Sequence, residues 1–149
     1  MNATIYRDAA EEHVTTAALL QDNAAYVGAY YFAGLAVECL LRAYRYRIDP
    51  VFDARHDLYE LAKVSNFFGG LGEEDSERGR ALLGEVIVRW TNTHRYRSLK
   101  VLRSFVIKAG LHHLSGSQTV RGDVVAHNGR ILVASAKQLV EMGVRKWES

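Results

Sequence analysis

Asn23 to Arg47 reads "NAAYVGAYYFAGLAVECLLRAYRYR". Apolar side chains fall on nearly every face of a helix drawn through it, and Glu38 is the only charge between Ala24 and Leu41. A helix without a polar face has to be enclosed by others, so this segment is expected at the centre of a helical bundle. Its apolar run, Ala24 to Val37, stops at Glu38, well short of a membrane span. Gly28 and Gly34 weaken the helix locally but let a neighbour come close. Asp22 is placed to cap its N-terminus.

The flanking segments repeat at helical spacing. Upstream, "DAAEEHVTTAALL" sets Ala10, His13, Ala17 and Leu20 on one stripe, a first amphipathic helix. Downstream the chain breaks at "IDPV". Asp57 and Glu60 in "HDLYELAKVSNFF" then make a D-x-x-E capping pattern with Leu58, Leu61 and Phe68 facing inward. Gly69, Gly70 and Gly72 end that helix. "SERGRALLGEVIVRW" carries Leu82, Leu83, Val86, Ile87 and Trp90 on its apolar side. Ser98 caps "LKVLRSFVIKAGLHHL", where Leu99, Leu102, Val106 and Ala109 recur by three and four. A "SGSQT" loop leads to a final helix from about Asp123 to Trp147. No repeat, low-complexity tract or linker divides residues 1–149. A single all-α domain is expected, an antiparallel helical bundle of five to six helices.

Composition agrees: 48% of residues are hydrophobic, 24% are charged, and Pro50 is the only proline. The formal charge of +2 is too small to be an electrostatic footprint by itself. The basic residues are uneven, however, with Arg42, Arg45 and Arg47 in one group and Arg89, Arg95, Arg97, Lys100 and Arg103 in another. Acidic residues gather at Glu73, Glu74, Asp75 and Glu77. The lone Cys39, inside an apolar run, excludes an internal disulfide and reads as a small core residue. "MNATIYRDAAEEH" is charged where a signal peptide needs an apolar stretch. A cytoplasmic protein with no membrane partner is expected.

"YYFAGLAVECLLRAY", then "RHDLYELAK", then an aromatic-Arg-Tyr step before the last long helices, resemble the HEPN family (higher eukaryotes and prokaryotes nucleotide-binding domains). The likeness runs from the second helix to the C-terminus and rests on pattern and order. It implies a compact α bundle, a homodimer, and either a metal-independent ribonuclease or a toxin paired with a nucleotidyltransferase antitoxin. It implies no cofactor and no metal. The family's site is an Arg, four to six residues, and a His, followed in the toxin branch by a Tyr one residue later. Arg89, His94 and Tyr96 in "RWTNTHRYRS" fit that longer form. Trp90 departs from it, since family nucleases carry a small polar residue directly after the arginine.

The spacing has a geometric consequence. Residues five apart on an α-helix lie roughly 140° from each other at 3.6 residues per turn. Arg89 and His94 can therefore share a phosphate only if the helix ends between them, and Thr91 to Thr93 are weak helix formers that favour caps and turns. A neutral His94 would then take the proton of a ribose 2′-hydroxyl, which attacks the adjacent phosphorus. Acid–base help of this kind is worth about 10²–10⁴-fold. Arg89 would offer forked donors to the phosphate oxygens, and Tyr96 would hold the phosphate or His94. The same residues also fit a plain helix C-terminus, with Arg89, His94 and Arg95 against the helix dipole.

"RGDVVAHNGR" holds a second match, Arg121 and His127, at the start of the last helix. His127 falls three after Val124 and four before Ile131, on the apolar stripe, which ranks this pair below Arg89 and His94. In "RHD", Asp57 as an N-cap explains the His56–Asp57 pair more economically than a metal site does. His112 and His113 sit on different faces of a helix, and no zinc or P-loop spacing appears. Glu38 either pairs with Arg42 one turn on or faces a cleft near the site. "YRYR" and "HRYR" interleave Arg45, Arg47, Arg95 and Arg97 with tyrosines, which suits stacked bases and phosphates or simply arginines snorkelling at helix ends.

Three functions fit these residues: an endoribonuclease acting on RNA, a non-catalytic HEPN-like module that binds a nucleotide or a nucleotidyltransferase, and a helical dimer with no ligand.

Overall fold

The computed structural model describes residues 2–51 and 56–149. Over the described residues it is an all-α bundle of six helices: α1 (Ala3–Asp22), α2 (Tyr26–Ile48), α3 (Leu58–Val64), α4 (Glu73–Ile87), α5 (Leu99–Lys108) and α6 (Val124–Glu148). Short 3-10 turns lie at Phe68–Gly70 and Asn92–Tyr96. No helix among the described residues is long and apolar enough to cross a membrane.

α2 is the enclosed helix that its sequence requires. Ala29, Tyr30, Ala33, Gly34, Ala36 to Leu41, Ala43 and Tyr44 are all buried along it. Two tyrosine hydroxyls tie it to α6: Tyr30 donates to the Val125 carbonyl at 2.8 Å and Tyr44 to that of Gly143 at 2.5 Å. Because both partners ascend together, α2 and α6 run in the same direction. α4 runs against α6, since Arg78 near its start reaches Gln138 and Arg89 just past its end reaches Asn128. α1 also opposes α6, with Gln21 in its last turn bonded to Ala126.

The local signals mostly act as expected. The side chains of Asp57, Ser98 and Asp123 accept from Glu60 N, Val101 N and Val125 N, opening α3, α5 and α6. Asp22 does not cap α2. It is the last residue of α1, and α2 begins after a turn in which Ala24 adopts φ +58°. α1 starts earlier than its apolar stripe, at Ala3, because Asn2 accepts from Ile5 N at 3.0 Å. α3 stops at Val64, so Phe68 is buried from the following 3-10 turn rather than from a helix.

Between α5 and α6 the chain makes a loop pinned by one antiparallel bridge, His113 to Thr119. Gly110 at φ +76° stops α5 and Gly122 at φ +80° turns the chain into the Asp123 cap. A side chain in that left-handed region costs roughly 1–2 kcal/mol.

Candidate functional site

α4 ends at Ile87, and Thr91 opens the 3-10 turn by accepting from Thr93 N. The helix thus stops before Arg89 rather than between Arg89 and His94. The shared, solvent-open groove expected of that break does not form. Trp90 decides this. Its indole is 5% exposed, donates to the Tyr31 carbonyl at 3.1 Å, and rests on Gly34 of α2, where any Cβ would overlap the ring. With Trp90 seated in α2, its neighbours on both sides are drawn inward.

His94 is fully buried. Its ring meets the edges of Tyr30 and Phe105, with centroids 5.7 and 5.0 Å away. Nε2 lies 2.7 Å from the Arg89 carbonyl, which can only accept, so Nε2 carries the proton. Nδ1 is buried without a partner among the described residues. Burial pushes the imidazole down to about 4, with the Arg97 charge acting the same way and the bond to the Arg89 carbonyl opposing. As placed, His94 is neutral and covered, and neither nitrogen can reach a ribose hydroxyl.

Arg89 contacts His94 through its backbone, not through its guanidinium. The guanidinium is turned the other way: Nη1 donates to the Glu85 carbonyl and carboxylate, and Nε donates to Asn128 Oδ1 at 2.9 Å. Asn128 is fully buried, and its amide nitrogen donates in turn to the Leu111 and Val124 carbonyls at 2.8 and 2.9 Å. One amide thus joins the end of α4, the loop after α5 and the first turn of α6. Its place three after Val125 and four before Leu132 was the available sequence signal. Tyr96 stands 75% exposed beneath Arg95, and hydrogen-bonds no described residue.

The second pair has the opposite environment. Arg121 is exposed and His127 half-buried, and both border an open cleft of about 650 Å³. Ser117, Gln118 and Thr119 supply hydroxyl and amide groups to the same cleft, beside the α6 N-terminus. Neither the Arg121 nor the His127 side chain makes a hydrogen bond or ion pair with a described residue, so both are available to a ligand. The apolar-stripe position that ranked His127 low puts it at the helix's edge, not in its core.

Glu38 is 4% exposed and fully engaged. Its Oε2 accepts from Arg42 at 3.2 Å and its Oε1 from His56 Nδ1 at 2.8 Å. The carboxylate therefore orients His56, not His94, and His56 and Asp57 resolve into a hydrogen-bond donor to Glu38 followed by a helix cap. Cys39 is buried, and burial with the Glu38 charge pushes its thiol up to about 12, which suits a core residue.

The two arginine–tyrosine groups lie at opposite ends of α2. Arg97 stacks on Phe105 near the Tyr30 end, whereas Arg45 holds Asp49 and the Val64 carbonyl, and Arg47 stacks on Trp147, near the Tyr44 end. A rise of 1.5 Å per residue separates them by roughly 20 Å, so they do not form one binding surface. Among the described residues no group of three or more His, Cys, Asp or Glu side chains is placed to hold a metal ion.

Compared with protein-family models, with curated proteins and with solved structures, the chain matches none of them.

Proposed function

We propose that the chain is a HEPN-like module that engages RNA or a nucleotide through the cleft bordered by Arg121 and His127. The observation that carries this reading is access. Of the Arg89–His94 and Arg121–His127 pairs, only the second presents an uncommitted guanidinium and an uncommitted imidazole to a cleft, with hydroxyl- and amide-bearing residues around it. In the catalytic form of the proposal, His127 accepts the 2′-hydroxyl proton and the 2′-oxygen attacks phosphorus as the bond to the 5′-oxygen breaks. Arg121 offsets the charge that builds on the non-bridging oxygens. The resemblance adds a homodimer and a nucleotidyltransferase partner to the proposal.

Incubation with single-stranded RNA in EDTA tests this reading. Cleavage is expected, and is expected to disappear in His127→Ala and Arg121→Ala without a change in melting temperature. RNA that binds uncut, with Arg121→Ala weakening it, supports the second, non-catalytic reading, which the inward-facing Arg89 and His94 also favour. An RNA that is neither bound nor cut removes both.

A further inference from the structure

We propose that the groove between α3 and α4 binds a small organic phosphate carrying an aromatic body. This site shares no lining residue with the Arg121–His127 cleft and does not depend on that reading. The groove has a volume of about 550 Å³, within the roughly 300–1,000 Å³ of small-molecule sites. Its floor is apolar, formed by Phe68, Leu83 and Ile87, and its rim carries Tyr59, Lys63 and Arg80. Among the described residues no carboxylate lines it. Lys63 pairs with no described acidic residue, and the Arg80 guanidinium carbon lies 4.9 Å from the centroid of the Phe68 ring. Two cations with no acidic partner among the described residues, beside an apolar floor, select an anion, and forked guanidinium donors suit phosphate. Tyr59 is 69% exposed at the mouth, where its ring can cover a planar group.

A second observation points to the same ligand. Gly84 lies inside α4, on the groove, where glycine costs about 1 kcal/mol relative to alanine. Packing does not require it, because a Cβ there would meet nothing within 4 Å. The other α4 glycine, Gly79, differs: its Cβ would lie 2.9 Å from the Phe68 ring. Gly84 leaves part of the groove wall bare and the space above it open, as an occupant would need.

The test is a titration of the full chain with phenyl phosphate, followed by backbone amide shifts, with inorganic phosphate and phenol as separate arms. Phenyl phosphate is expected to shift Lys63, Arg80, Gly84 and Ile87 saturably, and at lower concentration than either half-molecule. Arg80→Glu should weaken it by about tenfold or more. Gly84→Phe should fill the groove and abolish the shifts. Since both substitutions are on the surface, either one carries the test if the other fails to fold. Equal responses to phenyl phosphate and inorganic phosphate, shifts confined to the Arg121 cleft, or undiminished binding in the variants would overturn the proposal.

Discussion

Of the segments in which a histidine follows an arginine at five or six positions, the fold treats two, Arg89–His94 and Arg121–His127, in opposite ways. At Arg89 and His94 the intervening tryptophan is seated on Gly34, so the imidazole lies at the centre of the bundle and the guanidinium spans α4 and α6. At Arg121 and His127 the intervening residues are a left-handed glycine, a cap and the first turn of α6. Both side chains there reach an open cleft. The spacing of the two residues is common to both segments. Which side of the backbone faces the core is not, and the residues in between set it.

The comparison breaks most severely at the amide that joins the two segments. Asn128→Ala leaves the Arg89 Nε and the Leu111 and Val124 carbonyls without their partner. The expected loss is about 3–5 kcal/mol, as when a buried charge loses a partner, read from urea unfolding. Loosening of the 110–122 loop should accompany it, read as faster amide exchange.

Acid should expose the buried pair next. His94 is held at about 4 in the fold against an ordinary 6.5, so between those values the unfolded chain binds the extra proton. Stability from this group is complete above about pH 6.5 and falls as pH drops toward 4, by at most about 3 kcal/mol. His94→Gln should flatten that part of the pH profile of urea midpoints. A profile as steep as the parent's would place the titration elsewhere.

A smaller effect is expected at the seat of Trp90. Gly34→Ala forces the indole off α2 at a cost of about 1–3 kcal/mol, and should raise Trp90 fluorescence quenching by acrylamide. Smallest for stability are Arg121→Ala and His127→Ala, each expected within about 0.5 kcal/mol of the parent. Their effect should appear in RNA binding or cleavage instead.

Local chemistry was readable wherever a residue acts on its own neighbours. Asp57 and Ser98 cap the helices that their spacing indicates, and the pairing of Glu38 with Arg42 follows from one helical turn. Asp22 misled because the identical residue type suits a cap or a helix end, and only the turn at Ala24 distinguishes them. For the site, the two Arg…His spacings were both legible but their order was not. His94 looked like the end of a helix, where side chains meet solvent. Nothing local reveals that Gly34, more than fifty residues earlier, receives Trp90 and carries His94 inward.

By itself the amino-acid order determined the class of the fold, the enclosed position of α2 and the starts of α3, α5 and α6, because periodicity and capping are set by residues within a turn or two of one another. Tertiary structure alone decided that α2 and α6 run in the same direction, that His94 loses its access to water, and that Asn128 joins three segments. Those outcomes depend on contacts between residues far apart in the chain, which no local pattern encodes.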